Sequence, residues 1–126
     1  MNKVSGIILL VENIDNSVEF YEKLDFRVRK HVPGIATTVE LDNFWVELLD
    51  KTKVVTEAYK LPKDVSSNGA GAYLQINVSN VNTFYDSIRD KKVLVLAAPQ
   101  DYSWGHRECI VQDPDGYILC FYSVIS

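Results

Sequence analysis

The sequence predicts an α+β fold built from two βαβββ repeats, and three observations predict it. The order strand, helix, strand, strand, strand occurs twice in 126 residues. An offset of 67 lays Val11 on Val78, Asn13 on Asn80, Ile14 on Val81, Val18 on Tyr85 and Tyr21 on Ile88. A repeat in residues and in element order together marks an internal duplication. The strand segments also alternate in polarity, which gives each curved mixed sheet one apolar face under its helix and one face with polar groups.

Each element has its own local reason. Val4 to Val11 is an apolar run of strand length. Ile14 to Leu24 places Ile14, Val18, Tyr21 and Leu24 at helical spacing, with Asn13 or Asp15 as the cap. Phe26 to Val32, Ile35 to Leu41 and Phe44 to Leu49 are strands, separated by the turn formers Pro33-Gly34 and Asp42-Asn43. In the second repeat, Ala72 to Val78 is a strand and Val81 to Ile88 a helix capped by Asn80 or Asn82. Val93 to Ala97, Arg107 to Gln112 and Tyr117 to Val124 are strands, the last two joined by Asp113-Pro114-Asp115-Gly116, a type I turn pattern. Repeat one spans 1–50 and repeat two 71–126 of a single domain. The polar segment 51–70 links them, with a short helical piece around Thr56 to Tyr59.

Apolar residues make up 47% of the chain and charged residues 24%, the balance of a soluble globular protein. The net charge is −4, and no Lys/Arg cluster forms the basic stripe that nucleic acid requires. Nucleic acid is thus not an expected partner, and a charged ligand is expected to be cationic. Ile7 to Val11 is far short of the ~20 apolar residues of a membrane span. No cleavable leader is visible, so a cytoplasmic, reduced protein with no membrane partner is expected.

Two residue sets carry a family resemblance. One is Val11-x-x-Ile14-x-x-Ser17-Val18-x-Phe20-Tyr21-x-x-Leu24-x-Phe26. The other is Trp104-Gly105-x-Arg107-Glu108 leading into Asp113-Pro114-Asp115-Gly116-Tyr117. Over essentially its whole length the chain resembles the glyoxalase / bleomycin-resistance / extradiol-dioxygenase superfamily, the vicinal oxygen chelate proteins. The Trp-Gly-x-Arg-Glu run looks most like the bleomycin-resistance branch. The resemblance implies two sheets curved around a cleft, and in the metal-dependent members a divalent cation held by His and Glu from four strands. Those four positions fall here on Gly6, Glu47, Tyr73 and Cys120. One carboxylate in four does not make a site for a hard catalytic cation. The implied function is therefore metal-free and cofactor-free: a homodimer sequestering a small aromatic, cationic compound in a dimer cleft. The alternative is an enzyme of the same superfamily, a lyase, isomerase or dioxygenase with displaced ligands or with Glu47 as base. A third possibility is an interaction module whose cleft is filled by its own aromatics.

Glu47 leads the candidate site. Alternation puts it beside Trp45 and Leu49, where a buried carboxylate needs a partner. That partner is Arg107, Tyr73 or a cationic ligand. Trp45, Tyr73, Tyr102, Trp104 and Tyr122 offer flat faces to planar or cationic groups. Tyr102 and Trp104 lie in a loop, where large aromatics often bind. His106 follows at the start of a strand, whereas His31 reads as a solvated turn residue. Phe20, Phe26, Phe44 and Phe121 read as core. With Arg107 and Cys120 these residues complete the ligand-binding set: Trp45, Glu47, Tyr73, Tyr102, Trp104, His106, Arg107, Cys120 and Tyr122. A four-residue turn over Asp113 to Gly116 would pair Cys109 with Cys120, either as two small hydrophobes or as a redox-sensitive pair opening on the cleft.

Overall fold

A computed structural model describes residues 4–52 and 72–125. The helical piece expected around Thr56 to Tyr59 lies outside the described residues. The chain divides into two compact units, Met1–Asn68 and Gly69–Ser126.

In the first unit, β1 (Gly6–Val11), α1 (Ile14–Lys23), β2 (Arg27–Val32), β3 (Ala36–Leu41) and β4 (Phe44–Asp50) follow in order. The sheet runs β1-β4-β3-β2. β1 joins β4 in parallel and the other pairs are antiparallel. Of the two possible caps it is Asn13 that starts α1, its side chain accepting from the Asn16 amide at 2.9 Å. Val11, Val39, Val46 and Leu48 are fully buried on the sheet face that receives α1, together with Tyr21 of the helix. Each such side chain contributes about 1.5–3 kcal/mol by leaving water. The helix also buries Ser17, which a hydroxyl tolerates because it donates to the Asn13 carbonyl at 3.2 Å.

The second unit repeats the plan with β5 (Tyr73–Asn77), α2 (Val81–Ile88), β6 (Leu94–Asp101), β7 (His106–Gln112) and β8 (Ile118–Val124). Its sheet runs β5-β8-β7-β6, with β5 parallel to β8. Asn80 caps α2 by accepting from the amides of Asn82 and Thr83. Phe84 of this helix stacks on Phe121 at 4.0 Å. The offset of 67 lays the start of β1, Gly6, on the start of β5, Tyr73, and both strands pair in parallel with the last strand of their unit, Gly6 with Trp45 and Tyr73 with Ile118. The α+β fold of two βαβββ units is the one expected.

Three local departures position the site. β2 carries a bulge between Val28 and Lys30, so Arg29 is an extra residue opposite β3. β6 continues through Pro99 to Asp101, past the expected end at Ala97. It is an edge strand bulged between Ala97 and Gln100, where a residue without an N–H disturbs no ladder.

The third departure corrects the cysteine pairing. Asp113 and Tyr117 close the hairpin, the Asp113 amide donating to the Tyr117 carbonyl, and Gly116 adopts φ 92° as an added left-handed residue. The loop is thus a type I turn plus one residue, and the register slips by one. Cys109 pairs with Phe121 and Cys120 with Ile110. A one-residue slip reverses faces, so the two cysteines point to opposite sides of the sheet and form no redox pair. No helix among the described residues is long and apolar enough to cross a membrane.

Candidate functional site

On the first unit, the face away from α1 carries the rows Gly6–Trp45–Glu40–Arg27 and Ile8–Glu47–Thr38–Lys30 across the four strands. A cavity of about 330 Å³ lies on it, lined by Gly6, Ile7, Ile8, Lys30, Thr38, Trp45 and Glu47. Its volume is at the small end of the ~300–1,000 Å³ range of ligand pockets. Gly6 is a packing requirement, because a Cβ there would collide with the Trp45 carbonyl.

The bulge puts both Arg29 and Lys30 on this face. Arg27 donates to Glu40 Oε1 through Nε at 3.0 Å and Nη2 at 2.6 Å, and Arg29 donates to Oε2 at 2.9 Å. Those two guanidinium groups hold the Glu40 carboxyl below the usual carboxylate range. Arg29 also lies 3.9 Å from the centre of the Trp45 ring, a cation–π contact. Glu47, half-buried, makes no hydrogen bond or ion pair among the described residues, and neither does Lys30.

On the second unit, the face away from α2 gathers His106, Glu108, Cys120 and Tyr122, with Tyr73 on the β5 edge at 68% exposure. Glu108 is the centre of this cluster and only 5% exposed. The Cys120 thiol donates to its Oε1 at 2.7 Å, and the Trp104 indole N–H donates to Oε2 at 2.6 Å. His106 Nδ1 is 3.3 Å from Oε2 but off the line of a good hydrogen bond. Burial raises the Glu108 carboxyl, but the hydrogen bonds from Cys120 and Trp104, with the nearby His106 ring, outweigh it and hold the carboxyl below its ordinary value. Burial first, and the Glu108 carboxylate second, push the Cys120 thiol up to about 12. Cys120 is therefore a protonated donor, not a thiolate nucleophile. The aromatics stack in pairs, Tyr102 on Trp104 at 4.7 Å and His106 on Tyr122 at 4.3 Å.

The expected set thus divides. Trp45 and Glu47 share the cavity of the first unit, while Trp104, His106, Cys120 and Tyr122 surround Glu108 in the second, with Tyr102 stacked on Trp104 and Tyr73 exposed on the β5 edge. Arg107 is the exception. It pairs with Ser123 on the opposite face and donates to Asn82 and Asp101, both at 2.9 Å, so it is not the partner of Glu47. Its register parity puts it on the helix side, whatever the motif around it. Sequence reasoning missed Glu108, Glu40, Arg29 and Lys30. Glu108 was within reach, since alternation from His106 puts it on the same face, whereas the bulge that turns Arg29 and Lys30 has no signature in the sequence.

The residues at the four family positions do not fit a catalytic cation. Gly6 has no side chain, Tyr73 is a phenol, and Cys120 is a soft thiol engaged with Glu108, the wrong donor for a hard cation. Among the described residues no three His, Cys, Asp or Glu side chains stand together as a metal site.

A duplicated βαβββ chain with its polar groups on the helix-free sheet faces defines a class of paired-repeat α+β proteins. Within that class, a family model for the Glyoxalase/Bleomycin resistance protein/Dioxygenase superfamily matches residues 3–121. The chain belongs to that superfamily. Among solved structures it is similar to a glyoxalase/bleomycin resistance protein/dioxygenase from Nocardioides, with TM-score 0.82 and 20% identity, covering 100% of this chain and 85% of that one. It is also similar to lactoylglutathione lyase from Agrobacterium tumefaciens, with TM-score 0.75 and 12% identity over 98% of this chain and 94% of that one. A superfamily member from Sphaerobacter thermophilus gives TM-score 0.73 and 18% identity over 98% of each chain. At these identities the likeness concerns the fold alone. No curated protein matches the chain.

Proposed function

We propose that this superfamily member binds and sequesters a small organic compound with a flat ring and a positive charge, in the manner of the bleomycin-resistance branch. The observation that supports it is the Glu47 carboxylate, unpartnered among the described residues and facing a cavity walled by Trp45. A half-buried carboxylate without a donor is costly, and a cationic ligand removes that cost. Trp45 already holds one cation, the Arg29 guanidinium, against its ring. The exposed Trp104, fixed by Glu108 and stacked on Tyr102, is a second aromatic surface of the same kind. Sequestration asks for no acid or nucleophile beside Glu47, whereas a metal-dependent lyase or dioxygenase needs ligands that Gly6 and Tyr73 do not supply. As in that branch, a homodimer is the proposed working form, to be checked by sedimentation equilibrium.

Thermal unfolding against divalent metals and cationic aromatics, bleomycin-type antibiotics included, tests the reading. An organic compound that binds only the folded state raises the midpoint with its saturation. The expected result is such a shift, lost in Glu47→Gln. A shift with a metal alone, followed by turnover, would overturn it.

A further inference from the structure

We infer that the cavity on the first unit takes a ligand bearing an ammonium and a carboxylate on one small scaffold, an amino-acid-like head, with its apolar part against Trp45. This rests on the binding reading above and adds a second charge to it. The overall charge of −4 suggests a purely cationic ligand, but the cavity itself does not. Arg27, Arg29 and Lys30 stand on this face against Glu40 and Glu47, and Glu40 is already bridged by both arginines. The two charges left over are one anion, Glu47, and one cation, Lys30, and both line the cavity.

Their opposite signs select the ligand. Lys30 pairs with Thr38, and Thr38 with Glu47, so the two charged residues stand in one row, their backbones two strand spacings or roughly 9.6 Å apart. They form no ion pair with each other, and a single charged group matches only one of them in sign. An ammonium toward Glu47 and a carboxylate toward Lys30 satisfy both by charge-assisted hydrogen bonds, across the Thr38 that lines the cavity between them. The β2 bulge is what brings Lys30 into register for this, since an unbulged strand would put Arg29 opposite Thr38.

Isothermal titration with three indoles separates the charges: L-tryptophan carries both, tryptamine the ammonium alone, and indole-3-propionate the carboxylate alone. L-Tryptophan is expected to bind tightest. Lys30→Gln should weaken it about ten- to a hundredfold while leaving tryptamine unchanged, and Glu47→Gln should weaken both amines by a similar factor. Lys30 is exposed, so its variant keeps the fold, and a circular dichroism melt checks Glu47→Gln. If tryptamine binds as tightly as L-tryptophan and Lys30→Gln changes neither, the two-charge inference fails and the cation-binding reading stands. If only indole-3-propionate binds, or if none of the three does, both fail.

Discussion

Trp104 is 62% exposed, yet its indole N–H is held by a carboxylate that is almost completely buried. An exposed aromatic normally samples several rotamers, and this one is fixed at one end by Glu108 and on one face by Tyr102. Glu108→Ala removes the acceptor and leaves the Cys120 thiol unpaired, at a cost of about 1–3 kcal/mol. Glu108→Gln keeps a carbonyl oxygen and should retain most of the anchoring. In a Trp45→Phe background Trp104 is the chain's one remaining tryptophan, so its fluorescence reports directly on this contact. Steady-state anisotropy should fall and acrylamide quenching rise in the alanine variant, with the glutamine variant close to the parent. Unchanged anisotropy in Glu108→Ala would mean that stacking on Tyr102 alone holds the ring.

At the scale of the strand pair, β7 and β8 make the register a measurable property. Gly116 adds one left-handed residue to the hairpin loop, and that residue decides which cysteine faces which side. Cys109 is fully buried against the α2 side, and burial pushes its thiol up to about 11. Neither thiol forms an appreciable fraction of thiolate at mildly alkaline pH, and the two lie on opposite faces. The native protein should therefore alkylate slowly, at a rate that rises with denaturant, and should form no internal disulfide under a mild oxidant. Rapid formation of one would require the other register. The same hairpin shows what the sequence could and could not convey. Asp113-Pro114-Asp115-Gly116 named the turn correctly, but its residue types suit a four-residue and a bulged loop alike. The β2 bulge was likewise illegible, and with it the placement of Arg29 and Lys30 beside Trp45. Repeat order, the two-residue choices that contained the caps Asn13 and Asn80, and the face shared by Trp45 and Glu47 were legible, because period and spacing encode them directly. Arg107 was misread because a motif conveys residue types, while the face of a strand depends on register.

Across the whole molecule, each unit keeps a nearly buried glutamate carboxylate bridged by side-chain donors: Glu40 in the first and Glu108 in the second. Both carboxyls are held below the ordinary 4.5, Glu40 by Arg27 and Arg29, Glu108 by its donors against the opposing effect of burial. A carboxyl whose folded value lies below its unfolded one contributes stability that is fully present above 4.5. That contribution is lost as pH falls through the folded value. Acidification also titrates the other acidic side chains of a chain with 17 Asp and Glu against 13 Lys and Arg, turning a net −4 into a growing positive charge that opposes compaction. A falling midpoint in acid is therefore not diagnostic by itself, and the difference between variants is. Glu40→Gln with Glu108→Gln should be less stable than the parent at neutral pH, and the gap should narrow as pH drops below about 4.5, where the parent loses the same two charges. The two carboxylates share no partner, so the single variants should each account for part of the gap and add to the whole. Urea unfolding at a series of pH values measures this directly. A gap that stays constant into acid would place the effect of the substitutions in packing and not in charge.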